Sequence, residues 1–183
     1  MTNPLYNKDG VAVPKRPEYS DELITATVKA ELEKGRIFRA TLAKNPNGDI
    51  IDKLAKDFAE VWHDGADAYE IAKELESQGY SVNTQVVDDI ECLDGAIFSA
   101  HSKATKKWLE LHQPVPPFEV GARLMIERYN TFEPEHGTIE SIYECRPATY
   151  SVIIDGTPEG KNTRRLIDFE DAVLEPTSED HNK

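Results

Sequence analysis

Phe118-Glu119-Val120-Gly121-Ala122-Arg123-Leu124 opens a series of short alternating runs that continues through Gly137-Thr138-Ile139, Tyr150-Ser151-Val152-Ile153-Ile154-Asp155-Gly156 and Phe169-Glu170-Asp171-Ala172-Val173-Leu174. β-branched and aromatic residues alternate with polar ones, and turn residues bound the runs, which is the pattern of strands in a small barrel. Strand one is predicted over Arg123 to Arg128, with Leu124 and Ile126 on one face. Strand two covers Gly137 to Tyr143, with Ile139 and Ile142 inward. Strand three covers Tyr150 to Ile154, and strand four Arg164 to Asp168. The turn from Asp155 to Asn162 joins the last two. Phe169 to Ala172 reads as a short helical turn before strand five at Val173-Leu174-Glu175.

Upstream, the period changes. Gln113-Pro114-Val115-Pro116-Pro117 is a stiff, extended linker over 114–117. Before it, apolar residues recur at helical steps over 20–113. Ser20 is an N-cap, with Asp21 and Glu22 in the first turn, and the first helix is predicted to run to about Lys44 on Ile24, Val28, Leu32, Phe38 and Leu42. Asn45-Pro46-Asn47-Gly48 stops it. Asp49 opens a second helix with Ile51, Leu54, Phe58, Val61 and Trp62 inward, and Asp64-Gly65 breaks it. A third covers Ala66 to Gln78, with Tyr69, Ala72 and Leu75 inward and Gly79 as the cap residue. The fourth and longest, Thr84 to His112, carries Val86, Ile90, Leu93, Ile97, Ala100, Ala104, Trp108 and Leu111. Gly35 and Gly95 fall inside these helices and are read as close-packing positions. Four amphipathic helices with short links predict an antiparallel bundle. Residues 1–19, with Pro4, Pro14 and Pro17, read as an extended arm, and 177–183 as a polar tail. The predicted fold class is therefore α+β and multidomain, a four-helix bundle followed by a five-stranded barrel.

The 183 residues are 39% apolar, enough for packed cores without disulfides. Cys92 and Cys145 fit no metal or redox spacing and are read as buried thiols of a reducing compartment. No apolar run approaches the roughly 18 residues a membrane span needs, and no signal pattern opens the chain, so a cytoplasmic protein with no membrane partner is expected. Net charge is −13, with 14 Lys+Arg against 20 Asp+Glu up to Gln113 and 7 against 14 beyond it. A uniformly anionic surface forfeits the counterion release that drives nucleic-acid binding, which disfavours DNA and RNA as partners. It favours solubility, or docking on a basic protein surface.

The runs at Val120-Gly121, Gly137-Thr138-Ile139, Tyr150 to Gly156 and Phe169 to Leu174 resemble the SH3-like barrels of Tudor and KOW type, over residues 118–176. The Tudor resemblance implies an aromatic cage for a methylated cation, with Tyr129, Phe132, Tyr143, Tyr150 and Phe169 as candidates. Core positions are the competing reading for Tyr150 and Phe169. The KOW resemblance implies binding through basic loops, here Lys161, Arg164 and Arg165, with Arg146 nearby. The candidate binding residues are thus Tyr129, Phe132, Tyr143, Lys161, Arg164 and Arg165.

Catalytic motifs are sparse. The sequence has no Gly-x-Ser-x-Gly, no Cys with a nearby His, no phosphate loop and no dinucleotide glycine pattern. Glu60-Val61-Trp62-His63 offers a single Glu-x-x-His, where di-metal bundles pair two; a metal enzyme using Glu60 and His63 is the third-ranked expectation. Asp88-Asp89 with Glu91 and Asp94 fits dipole stabilisation of the long helix. No catalytic residue, cofactor or metal is expected. The leading expectation is a non-catalytic protein–protein interaction protein, a structural or assembly subunit of an oligomeric complex. In style rather than by motif, it is similar to phage virion components, which implies a virion-associated location. The second expectation is an acidic inhibitor or regulator, such as a nucleic-acid mimic or anti-defence protein, docking on the basic surface of a nucleic-acid-binding partner.

Overall fold

In the computed structural model, residues 3–44, 49–127, 134–158 and 164–176 are described. Among them lie five α-helices and one five-stranded antiparallel sheet, curled into a half-barrel, so the class is α+β. The chain divides into two compact units: Pro17–Thr105 is helical, while Met1–Arg16 and Lys106–Lys183 form the β unit.

In the helical unit, Ser20 caps α1 (Asp21–Glu33), its Oγ accepting from Leu23 N at 3.3 Å. Ile24, Val28 and Leu32 recur every four residues, and all three are buried. The single helix expected to reach Lys44 breaks after α1. Gly35 turns left-handed at φ 63°, its N–H bonding Leu32 O at 2.9 Å, and Phe38 follows at φ 52°. The chain resumes as α2 (Arg39–Lys44). Asp89 is the physical reason: its buried carboxylate accepts the Phe38 N–H at 2.7 Å, which fixes a backbone conformation uncommon for an aromatic residue while its ring stays buried. Gly35 is therefore a helix terminator. A Cβ added there, or at Gly95, would meet nothing within 4 Å, so neither is a close-packing position.

α3 (Asp49–Val61) buries Leu54, Ala55, Phe58 and Ala59. Trp62 follows, donating Nε1–H to Asp94 Oδ1 at 3.0 Å. Asp67 caps α4 (Ala68–Ser77), and its side chain accepts from Glu70 N at 2.8 Å. That start places Ile71, Ala72 and Leu75 inward and leaves Tyr69, expected inward, 60% exposed under the Lys73 ammonium. Gly79 ends the helix at φ 94°, with Tyr80 N bonding Leu75 O and Gly79 N bonding Glu76 O, the paired bonds of a Schellman cap. α5 spans Thr84–His112 as predicted and gives Val86, Ile90, Leu93 and Ile97 to the helical core. Each such fully buried aliphatic or aromatic side chain contributes about 1.5–3 kcal/mol of transfer free energy. Leu111, at the end of the predicted stripe, is exposed.

In the β unit, β1 (Arg123–Ile126), β2 (Glu135–Ile142), β3 (Thr149–Ile154), β4 (Arg164–Asp168) and β5 (Val173–Leu174) lie in the order β4-β3-β2-β1-β5. A 3-10 turn, Phe169–Asp171, precedes β5. Gly137 sits between Leu124 and Ile154 in the ladder, where a Cβ would stand 2.7 Å from Ile153 O and 2.8 Å from Val152 Cγ1. The β2–β3 register shifts between Ile139 and Ser141. That bulge re-aims the strand end and exposes Ile142, which was expected inward. Tyr150 and Phe169 are core, their rings 4.5 Å apart, beside Leu124, Ile139 and Val152.

The N-terminal segment is more than an extended arm. Asn7 N bonds Val11 O at 2.9 Å around a turn at Gly10, and Leu5 enters the β core. Asn3 N bonds Glu170 O at 2.7 Å. The proline stretch does not separate the units either: Val115 N donates to Tyr6 O at 2.9 Å, and the units part inside α5, after Thr105. Trp108 explains the shift, because its indole N–H donates to Pro14 O at 2.9 Å and its ring joins the β core. Cys92 and Cys145, expected buried, are both exposed free thiols.

Candidate functional site

Of the six predicted binding residues, Tyr129, Phe132 and Lys161 lie outside the described residues. Tyr143 follows β2, with its N–H on Thr149 O at 2.7 Å and its side chain partly exposed. Tyr150 and Phe169, the other cage candidates, are buried against each other. No convergence of three exposed rings occurs among the described residues.

Arg164 and Arg165 open β4, and both face carboxylates. The Arg164 guanidinium holds Glu140 at two points, with Nη2 2.6 Å from Oε1. Arg165 lies 3.4 Å from Glu135, and Arg146 lies 2.8 Å from Asp168. Arg123 bridges Asp155 at 2.6 Å and Glu175 at 2.8 Å. Hydrogen bonding to Arg164 holds the Glu140 carboxyl below its ordinary range, and Arg123 does the same for Asp155. The described arginines of the β unit are therefore engaged, and their charge is spent on neighbouring acids. A phosphate backbone would have to displace those acids first.

The outward side of β3 and β4 follows from the register. Ile153 pairs with Arg164 and Ser151 with Leu166, while Tyr150 and Val152 point to the core. Ile153 and Leu166 are thus diagonal neighbours on one face, 36% and 41% exposed, beside the Arg164–Glu140 pair. Below the β4 end lies a groove of about 420 Å³ lined by Met125, Leu166, Asp168 and Asp171 among others. Burial pushes the Asp171 carboxyl up, reinforced by Glu170 and Asp168.

Glu60 and His63 are not presented together on a helix face. α3 ends at Val61, and the exposed His63 stands in the following turn with Nδ1 3.4 Å from Asp64 O. No group of three or more His, Cys, Asp or Glu side chains is gathered for a metal among the described residues. Asp89, read as dipole stabilisation of α5, instead braces the Phe38 backbone and accepts from Gln85 Nε2 at 3.1 Å.

Two features escaped the sequence reading. Arg16 lies in what reads as an unstructured arm, yet its guanidinium is buried on Glu170 and on the carbonyls of Pro147 and Ala148. A groove of about 850 Å³ opens in the helical unit where α1 breaks, lined by Arg36, Phe38, Arg39, Lys53, Tyr80 and Asp89 among others. Gly35 between two cationic residues was the local signal for that break. A comparison of the chain with protein-family models and with curated proteins returns no match.

Proposed function

We propose that the chain is a non-catalytic protein-interaction protein, a structural or assembly subunit that docks through its β unit. The observation that carries this reading is the outward face of β3 and β4, where exposed Ile153 and Leu166 stand beside Arg164, already neutralised by Glu140. Among the described residues, such a surface has apolar area to bury and no unpaired cation to hold a phosphate, which favours a protein partner. The finer fold reading, an SH3-like barrel of Tudor or KOW type, is supported by β5 returning beside β1 after a single 3-10 turn. A phage virion complex remains the setting proposed on style.

The test is capture of partners from the native source with the full chain, alongside Ile153→Glu and Leu166→Glu. Both positions are partly exposed, and a thermal melt of each variant checks that it folds like the parent. A partner retained by the parent chain and released by either variant supports the reading. Identical capture by all three chains overturns it.

The second reading, an acidic regulator seated on a basic partner, is favoured by the net charge of −13. It predicts an affinity that falls steeply between low and high salt, because screened rim charges dominate such encounters. Salt-independent binding would reject it.

A further inference from the structure

We propose that the groove at the α1–α2 break binds a small organic phosphate, its anionic group held by Arg36 and Arg39 and its organic body resting against the groove wall. The cavity of about 850 Å³ falls in the size range of small-molecule sites, roughly 300–1,000 Å³. It lies entirely within the helical unit, apart from the outward β face. Arg36 and Arg39 both line it, both are exposed, and neither makes an ion pair among the described residues. That is unusual here: the described arginines of the β unit are all engaged, and the chain carries 34 acidic residues against 21 basic ones. Unpaired guanidiniums are strong, two-pronged donors for phosphate oxygens.

The remaining charges of the groove are already balanced. Lys53 is bound to Asp57, whose second partner is the Tyr80 hydroxyl at 2.6 Å. Asp89 is the one acidic residue among the described lining residues. Its Oδ2 accepts from Phe38 N and its Oδ1 from Gln85 Nε2, so both oxygens are occupied by N–H donors. Two free guanidiniums match the double charge of a phosphate monoester better than the single charge of a carboxylate. Asn83, Gln85 and Val86 at the start of α5 line the same wall, so the positive dipole end of that helix adds to the field. Tyr80 and Ile50 supply apolar surface for the body of the ligand. Phe38 lies between the two arginines in the chain, and Asp89 holds its left-handed backbone, from which both side chains leave.

The experiment is calorimetric titration and thermal-shift measurement on the full chain, with adenosine monophosphate, inorganic phosphate, adenosine and adipate as probes. Adenosine monophosphate is expected to bind at least about tenfold more tightly than adenosine or adipate, a difference that one charge-assisted contact supplies. Arg36→Gln with Arg39→Gln is expected to weaken it by at least about tenfold while leaving the melting point of the free protein unchanged, because neither side chain has a partner to lose. The proposal is overturned if the phosphate probes produce neither heat nor a melting shift. It is equally overturned if adipate binds as tightly as adenosine monophosphate, or if the double variant binds like the parent. Ile153→Glu should bind the probe like the parent, which separates this site from the β-face docking reading.

Discussion

Arg16 and Glu170 form a two-point ion pair across 154 residues of sequence, Nε to Oε1 at 2.6 Å and Nη2 to Oε2 at 3.0 Å. The same guanidinium donates to Pro147 O and Ala148 O and lies over the Trp108 ring, 5.4 Å from its centroid. One side chain thus fastens the N-terminal segment, the start of β3, the 3-10 turn and the end of α5 within the β unit. Only 8% of the Arg16 side chain is exposed. Removing it strands the Glu170 carboxylate, while Pro147 O keeps the Thr149 hydroxyl and Ala148 O keeps the Phe169 N–H. Arg16→Ala should therefore lower unfolding free energy by about 3 kcal/mol, as expected for breaking a buried pair, read by urea denaturation. A loss below about 1 kcal/mol would class the pair with surface bridges.

Two glycines should respond in opposite directions to the same substitution. Gly137→Ala places a Cβ against Ile153 O and Val152 Cγ1 in the middle of the sheet, so it should destabilise by about 1–3 kcal/mol through forced strand displacement. Gly95→Ala lies on the exposed side of α5 with open space around the new methyl, so it should stabilise by about 0.5–1 kcal/mol. Thermal melts of the two variants, compared with the parent, decide both.

Asp89→Ala removes the acceptor for the buried Phe38 N–H. A buried donor left without a partner costs about 1–3 kcal/mol, and the left-handed backbone at Phe38 loses its brace. Urea denaturation should show that loss, and amide exchange should be faster at Phe38 and Leu42 than in the middle of α3. Protection equal to the parent at Phe38 would mean another group takes the bond.

Asp171 gives a pH signature. Burial raises its carboxyl above the ordinary value, and Glu170 and Asp168 push in the same direction. A raised folded-state value means that the ionised form costs stability, with the cost present above the carboxylate range and gone once the group is protonated. Asp171→Asn should melt higher than the parent near neutral pH. The two curves should converge at about pH 3, below the reference carboxyl value. A gap independent of pH would assign the effect to packing.

Much of the architecture was legible in local pattern. The spans of α3, α5 and β4, the Ser20 and Gly79 caps and the core status of Tyr150 and Phe169 follow from periodicity and cap chemistry, which act over a few residues. The candidate site was less legible. Arg164 and Arg165 read as a basic cluster because sequence displays their charge and hides Glu140 and Glu135, which pairing across the sheet and ion-pair geometry bring to them. Tyr69 and Ile142 read as inward because the cap at Asp67 and the bulge after Ile139 shift the phase of the pattern by less than a turn or by one residue.

The sequence alone determined most stretches of helix and strand and most of the residues buried in the helical core, because burial of a periodic apolar face needs no knowledge of the partner. Only tertiary structure decided that the first helix breaks at Gly35 and Phe38, that residues 3–16 belong with the sheet, and that the units part inside α5. Each depends on a single partner far away in the chain: Asp89 for the Phe38 N–H, Glu170 for Arg16, and Pro14 for the Trp108 indole. Hydrogen bonds and ion pairs are directional and short-ranged, so their consequences appear only once folding has brought the two ends together.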